Sequence, residues 1–143
     1  MDNRRMNIIS FEPEHILQIR PQASQEYIQR TIRYGNYLAT GDCFTGMQDG
    51  QVVAIGGIIP VTETRAYLHM IVAEGFAHQW IKIYRATKRL IAAVESDYIR
   101  LETLSTTPES DRWLEMVGFQ YEGVLRRVMP DGTDAKSYSI VRT

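Results

Sequence analysis

The sequence predicts an α/β protein of the α+β kind: one domain, residues 1–143, with a mixed, mostly antiparallel sheet of about seven strands flanked by about four helices. Three observations carry this. Asp49-Gly50 joins two strand-like runs with the pattern of a tight antiparallel hairpin, and Asp131-Gly132 stands within a second, C-terminal hairpin. Strand and helix periodicities alternate only through the middle of the chain, and both ends read as hairpins. Gly118-Phe119 closes an amphipathic segment with the left-handed stop that glycine favours. The resulting order, βααββ, βα, βα, ββ, is not that of a doubly wound nucleotide fold.

Taken in order, residues 6–11 are a short apolar strand. Pro13 suits a helix first turn, with Glu12 and Glu14 at the positive helix end, and Pro21 ends that helix. Ser24 reads as the N-cap of a second helix, in which Tyr27, Ile28, Thr31, Ile32 and Leu38 recur at helical spacing and Gly35 is a weak point. Strands follow at 44–48 and 51–60, then at 66–73. The last alternates Tyr67, His69 and Ile71 on one face with Leu68, Met70 and Val72 on the other. A long helix over 77–95 carries an apolar stripe from Trp80 through Ile83, Tyr84, Thr87, Leu90 and Ile91 to Val94, opposite Lys82, Arg85, Lys88 and Arg89. A buried strand spans 98–104. Thr106 or Thr107 then caps a helix with Pro108 in its first turn, and Thr106 with Glu109 has capping-box spacing. Strands at 121–129 and 136–142 complete the chain.

Composition narrows the function. The chain is 44% hydrophobic and 23% charged with a formal net charge of −1, so no global field recruits nucleic acid or an anionic membrane, and any anion site is local. One cysteine, Cys43, cannot pair within the chain and is expected to be a packed, inert thiol. The longest apolar run, 52–61, is too short to span a bilayer and contains Gly56, Gly57 and Pro60. Residues 1–5 carry two arginines but no following apolar segment, unlike a signal peptide. The expected location is the cytoplasm. No metal-ligand spacing, P-loop or nucleophile elbow occurs. The basic face of the 77–95 helix has no interleaved aromatics, against a nucleic-acid role, and reads as a solvated face.

The segment 112–119, Arg-Trp-Leu-Glu-Met-Val-Gly-Phe, followed by Tyr121-Glu122-Gly123-Val124-Leu125-Arg126-Arg127, resembles a conserved block of the GNAT superfamily of N-acetyltransferases. In that block a helix ends at Gly-Phe and a strand opens with Glu-Gly. The tail from Asp131-Gly132 to Tyr138 continues it, and the likeness covers essentially the whole chain. With Arg100-Leu101-Glu102 and the 85–90 helix segment, the chain is most similar to phage-encoded acetyltransferase-like proteins, some of them internal virion components. For such a protein the location is the host cytoplasm or the virion.

The resemblance implies a splayed pair of parallel strands, here 66–73 and 98–104, with an extended pantetheine arm hydrogen-bonded to main chain in the gap. Met70, Ile71 and Val72 would supply that backbone. Gly75, Phe76, Ala77 and His78 would hold the pyrophosphate at the helix N-terminus, and part of the Lys82–Arg89 face would meet the 3′-phosphate. The implied cosubstrate is acetyl-CoA, with no metal, and the acceptor is a primary amine attacking the thioester directly. Glu102 and His69 are the candidate bases, and Tyr138 the candidate acid, with Tyr121 or water as substitutes. Glu63 is a further, solvated candidate. Bland readings stand beside these: a half-buried strand histidine bonded to backbone for His69, and an ion pair with Arg100 or an exposed strand position for Glu102. Acceptor loops would lie at 34–42 and 129–135.

Two departures from the family pattern matter. The pyrophosphate loop has a single glycine, Gly75, flanked by Glu74, Phe76 and His78. Leu114 stands where many members place a tyrosine that protonates the leaving thiolate. The sequence therefore supports an acetyl-CoA-dependent N-acyltransferase, active or catalytically degenerate. Its alternative is a non-enzymatic protein of that fold, a virion component or host-protein binder, with a protein partner or a homodimer.

Overall fold

The computed structural model describes residues 6–142, and the two arginines near the N-terminus lie outside them. The elements in chain order are β1 (Asn7–Ser10), α1 (His15–Gln18), α2 (Ile32–Leu38), β2 (Cys43–Gln48), β3 (Gln51–Pro60), β4 (Arg65–Val72), α3 (Trp80–Val94), β5 (Arg100–Ser105), α4 (Pro108–Val117), β6 (Gln120–Leu125) and β7 (Ala135–Val141). The seven strands run in the order β1-β2-β3-β4-β5-β7-β6, as expected for a mostly antiparallel sheet with four α-helices. The parallel pair is β4 with β5.

The described residues divide into two compact units, those of Met1–Ile59 with His69–Ile83 and those of Pro60–Leu68 with Tyr84–Thr143. In the first, Ile16, Ile19, Leu38, Val53, Ile55 and Ile71 form a closed apolar cluster, to which Phe76 adds a partly buried ring. Here β1 pairs with β2, and β2 with β3 through the Asp49-Gly50 turn, where both residues have positive φ. Gly35 is a packing requirement, not a weak point. A Cβ there would lie 2.4 Å from the carbonyl oxygen of Pro13, so only glycine lets α2 approach this segment.

The second helix starts later than its periodicity predicts. Ser24 falls in a 3-10 turn, Ala23–Gln25, and the cap of α2 is Thr31, whose hydroxyl accepts from the Tyr34 amide at 3.1 Å. Segment 20–25 runs instead along β4: Gln22 N donates to Val72 O at 2.9 Å, Glu74 N to Arg20 O at 2.7 Å, and Pro21 bridges Ala73. Main-chain pairing with β4 outweighs the local helical preference of these residues.

In the second unit, α4 buries Leu114 and Val117 and ends at Gly118 with φ 108°, where Phe119 N reaches Leu114 O at 2.9 Å. Its cap is Thr107, paired reciprocally with Ser110, instead of the Thr106–Glu109 box expected. The stripe of α3 holds at Thr87, Ile91 and Val94, with Ile83 buried in the first unit; Trp80, expected in it, is 44% exposed at the helix start. Arg85, Lys88 and Arg89 face solvent.

Candidate functional site

Alternation along β4 sets which main-chain groups point where. Ala73 N donates to Val53 O of β3 at 2.9 Å, so the N–H and C=O groups of His69 and Ile71 turn to the same β3 side. Those of Met70 and Val72 turn to the opposite edge, as do those of Thr64, whose carbonyl accepts from Arg100 N at 3.1 Å. On that edge β4 is in register with β5 at Arg65↔Arg100, Ala66↔Leu101 and Tyr67↔Glu102. Past Tyr67, Met70 and Val72 have different partners. The Gln25 carboxamide donates from Nε2 to Met70 O at 2.7 Å and accepts at Oε1 from Val72 N at 2.8 Å. These two bonds flank Ile71 in the manner of a parallel neighbouring strand. Gln22 Nε2 steadies the same Oε1 at 3.3 Å.

This edge can therefore receive an extended amide. A carboxamide already fits it with two bonds of ordinary length. Of the three residues expected to supply backbone, Met70 and Val72 present it. Ile71 does not: its polar groups belong to the β3 side and its side chain is 1% exposed. Gln25 was not legible as a site residue, because a polar residue in a weakly helical stretch carries no pattern of its own.

The turn after β4 is Gly75, Phe76, Ala77 and His78, leading through a 3-10 turn (Ala77–Gln79) into α3. Gly75 has φ 82°, and a Cβ added there would meet no atom within 4 Å, so the main chain is open. Glu74, Ala77 and His78 are exposed, while Phe76 turns toward the apolar cluster. An anion approaching Ala77 and His78 meets the positive end of a fifteen-residue helix.

His69 is buried, and neither ring nitrogen has a hydrogen-bond partner among the described residues. Burial without a compensating bond pushes its pKa down to about 4, so the ring is neutral at ordinary pH. The backbone-bonded histidine of the bland reading is not what forms. Cys43 behaves as expected: it is buried, and burial pushes its thiol up to about 12.

The other two catalytic candidates lie in the second unit, each already engaged. Glu102 pairs with Arg65 Nε and, at 3.0 Å, with Arg100 Nε. Arg100 continues across β7 to Glu122 on β6, with Nη1 to Oε2 at 2.9 Å. The bond to Glu122 is the main cause raising the Arg100 pKa, and its counterpart lowers that of Glu122. Tyr138 is 2% exposed, and burial first, then the neighbouring Asp111 charge, raises its pKa. Asp111 is desolvated, which opposes its ionisation. Bonds from Lys136 Nζ at 2.6 Å, Ser105 Oγ at 2.6 Å and the Tyr138 hydroxyl outweigh this and lower its pKa. Tyr121 is 53% exposed, its ring 5.6 Å from that of Tyr138. Leu114 is buried. A shallow hollow of about 960 Å³ is lined by Arg126, Arg127, Thr133 and Asp134, at the loop expected to meet the acceptor.

Among the described residues no cluster of three or more His, Cys, Asp or Glu side chains could hold a metal ion, and no helix is long and apolar enough to cross a membrane.

No family model and no curated protein matches the chain. Solved structures do, over nearly its whole length. Ard1 from Thermoplasma volcanium has a TM-score of 0.77 at 15% identity, covering 96% of this chain and 98% of its own. Aminoglycoside 6′-acetyltransferase type Ii has a TM-score of 0.73 at 17% identity, covering 95% and 97%. A GNAT family acetyltransferase from Elizabethkingia anophelis, solved with acetyl-CoA bound, has a TM-score of 0.67 at 14% identity, covering 99% and 100%. The fold is thus that of the GNAT acetyltransferases.

Proposed function

We propose that residues 1–143 form one acyltransferase domain that takes an acyl group from acetyl-CoA and passes it to a primary amine by direct attack. The observation that carries this reading is the β4 edge at Met70 and Val72, which sits beyond the three-residue register with β5 and accepts an amide. A pantetheine arm bears amides of that kind, and the fold is shared with a protein solved with acetyl-CoA bound. When bound, the coenzyme supplies the activated thioester.

Met70 O and Val72 N hold the arm. The amides of Gly75, Ala77 and His78 hold the pyrophosphate, with the α3 dipole behind them. Glu74 is exposed beside this turn. This reading assigns no side chain as the base: the His69 ring nitrogens are buried out of a substrate's reach and the ring has a pKa of about 4, so the amine arrives already deprotonated from solvent. Glu102 shares its charge between two guanidiniums and serves to fix β4 to β5. Tyr138 serves Asp111 and the seat of α4. Leu114 cannot donate, so this chain would leave protonation of the departing thiolate to solvent.

Calorimetric titration with acetyl-CoA tests the reading. Micromolar binding, weakened at least about tenfold by Ala77→Glu, is the expected result, because a carboxylate there opposes the pyrophosphate. Silence at millimolar acetyl-CoA, in the wild type and in Gln25→Leu alike, overturns it. The Gln25 contact is also what favours the second reading, a non-enzymatic protein of this fold serving as a virion component or host-protein binder; a stoichiometric partner chain on purification from the native source supports that one.

A further inference from the structure

The Gln25 carboxamide does more than decorate the sheet edge. It takes one acceptor, Met70 O, and one donor, Val72 N, and these are the two groups that the proposed arm needs. The two occupants are mutually exclusive, since a main-chain N–H makes one good hydrogen bond. The segment behind Gln25 is also built onto β4. Gln22 N holds Val72 O, Arg20 O receives Glu74 N, and the 3-10 turn is closed by Gln25 N to Gln22 O at 2.8 Å. Gln22 Nε2 then orients the carboxamide from the side.

We propose that segment 20–25 is an autoinhibitory latch, in which the Gln25 side chain imitates an amide of the acyl carrier arm and must leave Met70 and Val72 before the arm can seat. This rests on the acyltransferase reading above. The segment is suited to the part. Ala23, Ser24 and Glu26 are exposed and Gln25 is only partly buried, so the Gln25 side chain alone can swing out, exchanging its two bonds to β4 for water while the main-chain bonds of Arg20 and Gln22 stay in place. A closed latch lowers the apparent affinity by the fraction of molecules that are open, so removing the carboxamide tightens binding.

The test compares acetyl-CoA binding to the full-length wild type, Gln25→Leu and Gln25→Ala by calorimetry, with hydrogen exchange at the Val72 amide as a second readout. The expected result is binding about tenfold tighter in both variants, given the net worth of two such bonds. The Val72 amide should also exchange faster in the free variants and regain protection when acetyl-CoA is added. Binding by the variants where the wild type shows none supports the latch most strongly. Equal or weaker binding by folded variants, with Val72 still protected, overturns the latch and leaves the acyltransferase reading standing. No binding by any of the three overturns both.

Discussion

Burying the His69 imidazole without a hydrogen-bond partner couples its charge to folding. Its folded pKa of about 4 lies below the ordinary 6.5, so between those values the unfolded chain binds the extra proton. The neutral ring's contribution is intact above about pH 6.5 and is lost as pH falls toward 4, to a total of about 3 kcal/mol. Urea unfolding at pH 7 and pH 4.5 should show that loss, and His69→Phe should remove most of it; an unchanged slope in the variant would show that other groups carry the dependence. The role of His69 is in packing, so a folded His69→Ala should leave kcat within about threefold. Glu102→Gln should leave kcat within about threefold and cost at most about 1 kcal/mol, as half-exposed ion pairs do. A loss of kcat of about a hundredfold in either folded variant would make that residue the base.

Single elements show how local chemistry and packing share the work. Helix α4 is specified by its ten residues and the two that flank them: Thr107 and Ser110 satisfy its first amides, Pro108 fits its first turn, and Gly118 takes the left-handed conformation that ends it. Thr107→Ala should cost about 1 kcal/mol, read as a drop in the denaturation midpoint at constant m-value. Helix α2 answers to its neighbour as well. Gly35→Ala drives a methyl group into the Pro13 carbonyl and should cost about 1–3 kcal/mol, though alanine is the better helix former. A stabilised Gly35→Ala would show that α2 is free to shift away from that segment.

Taken whole, the molecule has almost no net charge, so in the acyltransferase reading no long-range field concentrates a polyanionic coenzyme and affinity would rest on short-range contacts along β4 and at the start of α3. A ligand bound only to the folded chain stabilises it by mass action. At a hundredfold excess over Kd, acetyl-CoA should add about 2.7 kcal/mol and raise Tm by several degrees. Coenzyme A lacking the acyl group should do nearly as well if the arm and pyrophosphate carry the binding. A shift confined to acetyl-CoA would place the recognition on the acyl group instead.

The order of elements was readable from the chain because the signals for it are local. The Asp49-Gly50 turn, the Gly118 stop, the stripe of α3 and the alternation of β4 each act over a few residues, through backbone conformations that side-chain type restricts directly. The Asp131-Gly132 signal fixes a hairpin but not its length, since β6 ends at Leu125 and β7 resumes at Ala135. Gln25 meets Met70 and Val72 across 45 and 47 residues, Glu102 meets Arg65 across 37, and Arg100 meets Glu122 across 22. Such contacts leave no periodicity, since any of several polar side chains could satisfy a strand edge or a charge, and only the folded arrangement selects one. The same holds for His69. Its place on a strand follows from alternation, whereas the loss of every hydrogen-bond partner, and with it the depressed pKa, exists only once neighbouring elements have excluded water from the ring.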